Sequence, residues 1–215
     1  MSQSSLYGIK CDFTGERLYD FSNSWLFAPI IFEILPEKYM PKLIIDSDGF
    51  IKNIMFDLSS KLWNKADKKI RHCKNTADRI CWEIVGQQIF FTKDKELIAD
   101  SIRTFVKQNM GYGKSSYDNI PLLKQERIVN RFFEIADRIL ELNENEYPFF
   151  VFQNNDCYPS VKNWFVKWND ETEETIACSM IENKHKISTE FVVIENKRII
   201  RLIPSLKFDY GNFSE

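Results

Sequence analysis

The chain has 215 residues, of which 44% are apolar and 28% charged, with a net charge of −2. Such a length and mixture support a buried core without disulfides or metals, and they set the chain apart from disordered polymers. The near-neutral charge argues against a protein that coats nucleic acid constitutively, because neutralising phosphates takes a basic surplus. Aromatic residues are plentiful, with 18 Phe, eight Tyr and five Trp. Phe is expected mainly as core filler.

Residues 1–6 carry neither a cationic start nor an apolar run, so no secretory leader is expected there. The longest charge-free stretch, Phe21 to Phe32, is interrupted by Pro29 and is shorter than the roughly 18–20 residues that cross a bilayer. A cytoplasmic protein with no membrane contact is the expectation. Cys11, Cys73, Cys81, Cys157 and Cys178 are odd in number and widely spaced, which points to reduced thiols.

Residues 42–46 and 50–56 are apolar runs joined by Ser47-Asp48-Gly49, a hairpin signature. The same stretch, Ile44-Ile45-Asp46-Ser47-Asp48-Gly49, resembles the opening of phosphatases of the haloacid dehalogenase type. There the first Asp attacks phosphorus and a magnesium ion neutralises the phosphate. Phe50 departs from that pattern, and no later G-D-x-x-x-D completes a metal site. Turn chemistry accounts for every residue of the stretch, so the turn is the favoured reading.

Residues 61–79 hold Lys61, Lys65, Lys68, Lys69, Arg71, Lys74 and Arg79 against only Asp67 and Asp78. Leu62, Ala66, Ile70 and Cys73 give one apolar stripe. The segment therefore reads as a basic amphipathic helix over 59–74, starting near Ser59 or Ser60. These seven cations are the candidate interaction surface for a charged partner, with Trp63 and Trp82 nearby either as aromatic anchors or, as is commoner for tryptophan, buried. A helix face that simply meets solvent is the plainer alternative.

Residues 80–92 fit both periods: Ile80, Trp82 and Ile84 alternate, while Ile80, Cys81, Ile84 and Val85 suit a helix. Gly86-Gln87 tips the balance towards a hairpin, since glycine costs about 1 kcal/mol inside a helix. Two helices follow. In 94–109, Leu97, Ile98, Ile102, Phe105 and Val106 recur at helical spacing, with Gly111 placed as a C-cap. In 121–142, Leu122, Val129, Phe132, Phe133, Ala136, Ile139 and Leu140 form a stripe behind Pro121, with Asn119 as a cap. The loop 111–119 lies between them.

Strands are expected over 149–153, 161–168 and 175–181, followed by a hairpin of 191–195 and 198–203 turning at Asn196-Lys197. Glu195-Asn196-Lys197 at the end of an apolar strand also matches the E-x-K of metal-dependent nucleases, with Asp156 or Asp170 as a second carboxylate. It serves equally as a turn. Asp170, Glu171, Glu173 and Glu174 form an acidic cluster, and Glu134, Asp137, Glu141, Glu144 and Glu146 outnumber Arg138 in another region.

His72 and His185 are the only histidines, and no Walker loop, G-x-S-x-G, H-E-x-x-H or G-x-G-x-x-G occurs. The expected fold is α+β: a largely antiparallel sheet from several hairpins, packed against two or three helices. It forms one domain, or two packed lobes meeting near the loop 111–119. No cofactor or metal site is read from the sequence. The expected role is a stand-alone interaction protein, a binder, inhibitor or immunity-like factor whose partner is another protein. The alternatives are nucleic-acid association through residues 61–79 and a metal-dependent phosphoesterase or nuclease. Richness in Ile, Lys, Asn and Phe is compatible with an AT-rich accessory bacterial gene.

Overall fold

The computed structural model describes residues 3–41, 60–113, 120–154, 160–184, 187, 189–195 and 198–202. The four middle strands of its sheet are buried on both faces, three of them as apolar runs and the first in chain order with buried Ser4 and Ser5 at its start. They are β1 (Gln3–Ile9), β4 (Phe149–Gln153), β3 (Ile89–Phe91) and β7 (Phe191–Glu195). With β2 (Gly15–Ser22) and β8 (Arg198–Leu202) at the edges, they form a six-stranded sheet in the order β2-β1-β4-β3-β7-β8. All neighbours pair antiparallel except β3 and β7, which run parallel. The expected α+β class with a largely antiparallel sheet is what the chain adopts.

Alternate residues along these strands serve different faces. Leu6, Phe90, Phe150, Phe152, Val192 and Ile194 join the helices in one core. Tyr7, Ile9, Ile89, Phe91, Phe149, Val151, Phe191 and Val193 join a second core beneath residues 160–184.

On the first face, the described residues include five α-helices: α1 (Ala28–Tyr39), α2 (Ser60–Arg71), α3 (Thr76–Val85), α4 (Lys95–Gln108) and α5 (Glu126–Leu140). In α4 the buried set is Ile98, Ala99, Ile102, Phe105 and Val106; in α5 it is Ile128, Phe132, Ile135, Ala136 and Ile139. Phe105 stacks flat on Phe132 at 5.7 Å, and Phe27 bridges Phe132 to Phe152 of the sheet at 4.7 and 5.0 Å.

On the second face, a 3₁₀ turn Val161–Trp164 leads into a small two-stranded sheet, β5 (Val166–Asn169) and β6 (Glu174–Ala177). Buried Asn183 ties this cap together. Its Nδ2 donates to the carbonyls of Trp164 (3.1 Å) and Val166 (2.8 Å). The Phe165 ring lies where a side chain at Gly15 would stand, 2.4 Å from an ideal Cβ, so glycine is needed for β2 and the cap to meet.

Several local expectations are corrected. Residues 80–85 are helical, within α3, and only Ile89–Phe91 is a strand. The Asn75 side chain accepts the Asp78 N–H at 3.1 Å and caps α3, and burial around the whole helix hides its period from the sequence. The basic helix ends at Arg71, so Lys74 lies in the break and Arg79 on the next helix. The 121–142 helix begins at Glu126, after a 3₁₀ turn at Leu122–Lys124. The α4 cap is Asn109, not Gly111. Residues 161–164 turn rather than extend, and the strand expected at 175–181 is Glu174–Ala177. The hairpin expected at 42–56, Asp46 and Asp48 included, lies outside the described residues, as do Asn119, Asp156 and Lys197.

Candidate interaction surfaces

The α2 helix turns Trp63, Ala66 and Ile70 towards the protein and leaves Lys65, Lys68 and Lys69 exposed on the opposite side. Exposed Lys74 follows in the break. The side chain of Lys61 lies outside the described part of the structure. Arg71 does not join this row. Its Nε pairs with Asp67 at 2.5 Å, and its guanidinium reaches Glu83 and Glu190 at 4.0 Å each. Arg79 is half-buried on α3. Of the seven expected cations, four therefore share a solvent-facing surface, and the arginine best suited to grip phosphate in a fork is committed inward.

Nor do the tryptophans stand on the lysine face. Trp82 is buried and donates its indole N–H to Asp67 at 3.0 Å. Trp63, 36% exposed, packs on Trp82 at 5.3 Å and on Phe32 at 5.4 Å. These rings dock α2 onto α1 and α3.

Among the described residues, Asp78 and Glu83 are the two deeply buried carboxylates. Asp78 accepts hydrogen bonds from Lys38 Nζ (2.6 Å), the Tyr39 hydroxyl (2.6 Å) and Asn109 Nδ2 (2.9 Å). Lys38 Nζ also donates to Asn109 Oδ1 at 2.7 Å, closing a network that joins α1, α3 and the end of α4. Burial, and then the hydrogen bond to Asp78, hold the Tyr39 hydroxyl far above its ordinary pKa. Glu83 is governed by burial, which pushes its carboxyl up to about 8; Arg71 pulls the other way, and Asp67 and Glu190 add to the rise. Glu33 on α1 is raised to about 7, by burial and then by Glu37. The sequence marks Asp78 only as one acid in a basic stretch, because Lys38 and Asn109 lie 40 and 31 residues away.

Among the described residues no group of three His, Cys, Asp or Glu side chains is placed to hold a metal ion. Asp170 sits in the turn of the β5–β6 hairpin, and Glu195 pairs with Arg198 at the end of the β7–β8 hairpin. No helix among the described residues is long and apolar enough to cross a membrane.

The acidic residues of α5 are largely paired: Arg131 with Glu134 (3.0 Å), Arg103 with Asp137 (2.6 Å) and Arg138 with Glu141 (2.7 Å). The acidic turn of the cap differs. Asp170, Glu171, Glu173 and Glu174 are all exposed, and none has an ion pair among the described residues. Glu173 holds a left-handed backbone with φ 51°, where glycine would be the unstrained choice. Beside them, Trp168 is 60% exposed, the most exposed large apolar side chain among the described residues. It stands opposite Thr175 and shares its face with Val166 and Ala177, while Lys167 on the other face pairs with Glu182 at 2.5 Å.

No protein-family model, curated protein or solved structure matches this chain. The functional reading rests on the residues themselves.

Proposed function

We propose that this chain is a binding protein whose partner is another protein. What supports the reading is the split between its buried and exposed groups. Asp78, Lys38, Tyr39 and Asn109 spend their polar atoms on one another, between helices. Trp168, by contrast, stands 60% exposed on a projecting hairpin. Tryptophan is among the residues most enriched where proteins bind one another, because one ring removes a large apolar area from water. The test is affinity capture with the intact chain from a native lysate of its source. A stoichiometric protein partner is expected, and its absence overturns the proposal.

A second reading, nucleic-acid association, is favoured by the exposed row Lys65, Lys68, Lys69 and Lys74. Four such charges on duplex DNA give a log-log salt slope of roughly −3.6. Retention on DNA at low salt that is lost in K65E/K68E/K69E supports it; no retention ends it.

A further inference from the structure

The outer face of the β5–β6 hairpin offers two things at once, an apolar platform and carboxylates that have no ion pair among the described residues. Val166, Trp168, Thr175 and Ala177 occupy one face of the paired strands, and Trp168, Thr175 and Ala177 are exposed. The turn joining those strands adds exposed Asp170, Glu171 and Glu173, while exposed Glu174 opens β6 on the opposite face, across from Asn169. The nearest cation on β5, Lys167, faces the other way and is held by Glu182.

Three exposed carboxylates on one short turn give it a negative charge. A cation supplied from outside gains from that charge, and an arginine or lysine can also lie against the indole of Trp168. The apolar platform rejects a fully hydrated ion, because covering Trp168 and Ala177 requires side chains that exclude water. The complementary ligand therefore carries cationic and apolar groups together. Phosphate-rich ligands, nucleic acids included, are repelled by the same turn.

We infer that the Trp168 face of this hairpin docks a basic, apolar-interleaved segment of a partner protein, with Trp168 as anchor and Asp170, Glu171 and Glu173 of the turn as its charged rim. The inference rests on the proposed binding function and names its surface and the chemistry of its partner. Charge attracts and orients the segment, and burial of the indole holds it.

The test uses the intact chain and a fluorescein-labelled nonapeptide of alternating arginine and valine, followed by fluorescence anisotropy at about 0.15 M salt. Saturable binding is expected, weakened at least tenfold by W168A and abolished by D170K/E171K/E173K. A177R, which places a cation on the same face without touching the turn, should also weaken it, and serves as the independent variant if the triple one is poorly folded. K65E/K68E/K69E should bind as the unmodified chain does. A peptide alternating glutamate and valine should not bind. Equal binding by W168A, or by the glutamate peptide, overturns the inference, since it would reveal charge or apolar stickiness alone. Absence of arginine–valine binding while a stoichiometric partner is captured overturns this surface and leaves the binding function standing. Failure to capture any partner overturns the function itself.

Discussion

The two faces of the central sheet are built on different terms. Five helices cover one face, and their polar groups meet each other inside: Asp78 alone draws hydrogen bonds from three side chains. The other face is covered by a short cap that Asn183 stitches from within, and the outermost part of that cap faces solvent with an indole and four carboxylates. The comparison sets a layer whose perturbed groups, Tyr39 and Glu83, are held between packed elements against an exposed surface, the one we propose for a partner.

The largest expected effect lies in the helical layer. Asp78→Ala takes one acceptor each from Lys38, Tyr39 and Asn109 and leaves the Lys38 ammonium without its counter-charge, and should cost about 3–5 kcal/mol. Urea unfolding monitored by circular dichroism measures it. A loss under about 1 kcal/mol, no more than an ordinary surface change gives, would mean that the network does not tie α1, α3 and α4 together.

The Arg71 cluster sharpens the contrast through pH. The Glu83 carboxyl lies at about 8 in the folded protein against an ordinary 4.5. Between those values the folded chain keeps a proton that the unfolded chain releases. Stability from this group is therefore full below about pH 4.5 and declines as the pH rises towards 8. Glu33, raised to about 7, acts in the same direction. At pH 9, Glu83→Gln should be more stable than the unmodified chain by on the order of a few kcal/mol, because each tenfold change in proton affinity is worth about 1.4 kcal/mol and the value of about 8 already includes the pull of Arg71. Chemical denaturation at pH 5 and pH 9 checks the sign; equal pH slopes in both proteins contradict it.

Smaller still is the expected cost of opening the cap. Asn183→Ala removes the amide that several cap carbonyls share, and should cost about 1–3 kcal/mol. Hydrogen exchange should rise in residues 160–184 and stay unchanged in α4 and α5. Uniform loss of protection would show that the cap is no separate layer.

Legibility in the sequence follows the same division. β4, β7 and β8 announce themselves as short apolar runs between turn residues, and α4 and α5 by helical spacing with one dry face. β1 is harder to see, because buried Ser4 and Ser5 interrupt its pattern. In α1, a proline at each end, Pro29 and Pro36, blurs a helix that is apolar on most sides. Asp78 is invisible locally because its partners come from distant segments. The lysine row is legible as a charged face, but which arginines turn inward depends on Asp67, Glu83 and Glu190 converging from separate elements. Trp168 reads as one more strand residue until the hairpin is seen to project.

That projection makes the sharpest test of the comparison also the smallest in energy. Trp164 and Trp168 are four residues apart in the same cap, yet the first is 5% exposed and the second 60%. Trp164→Ala opens a cavity under the sheet and should cost about 3–5 kcal/mol. Trp168→Ala removes a ring that already faces water, and should change stability by no more than about 0.5 kcal/mol. Paired urea titrations measure both. A large loss from Trp168→Ala would mean that the ring is part of the cap's own packing, and the case for it as an anchor would fall. A small loss leaves an indole in solvent that folding does not require, and the proposed role as anchor stands to be tested by binding.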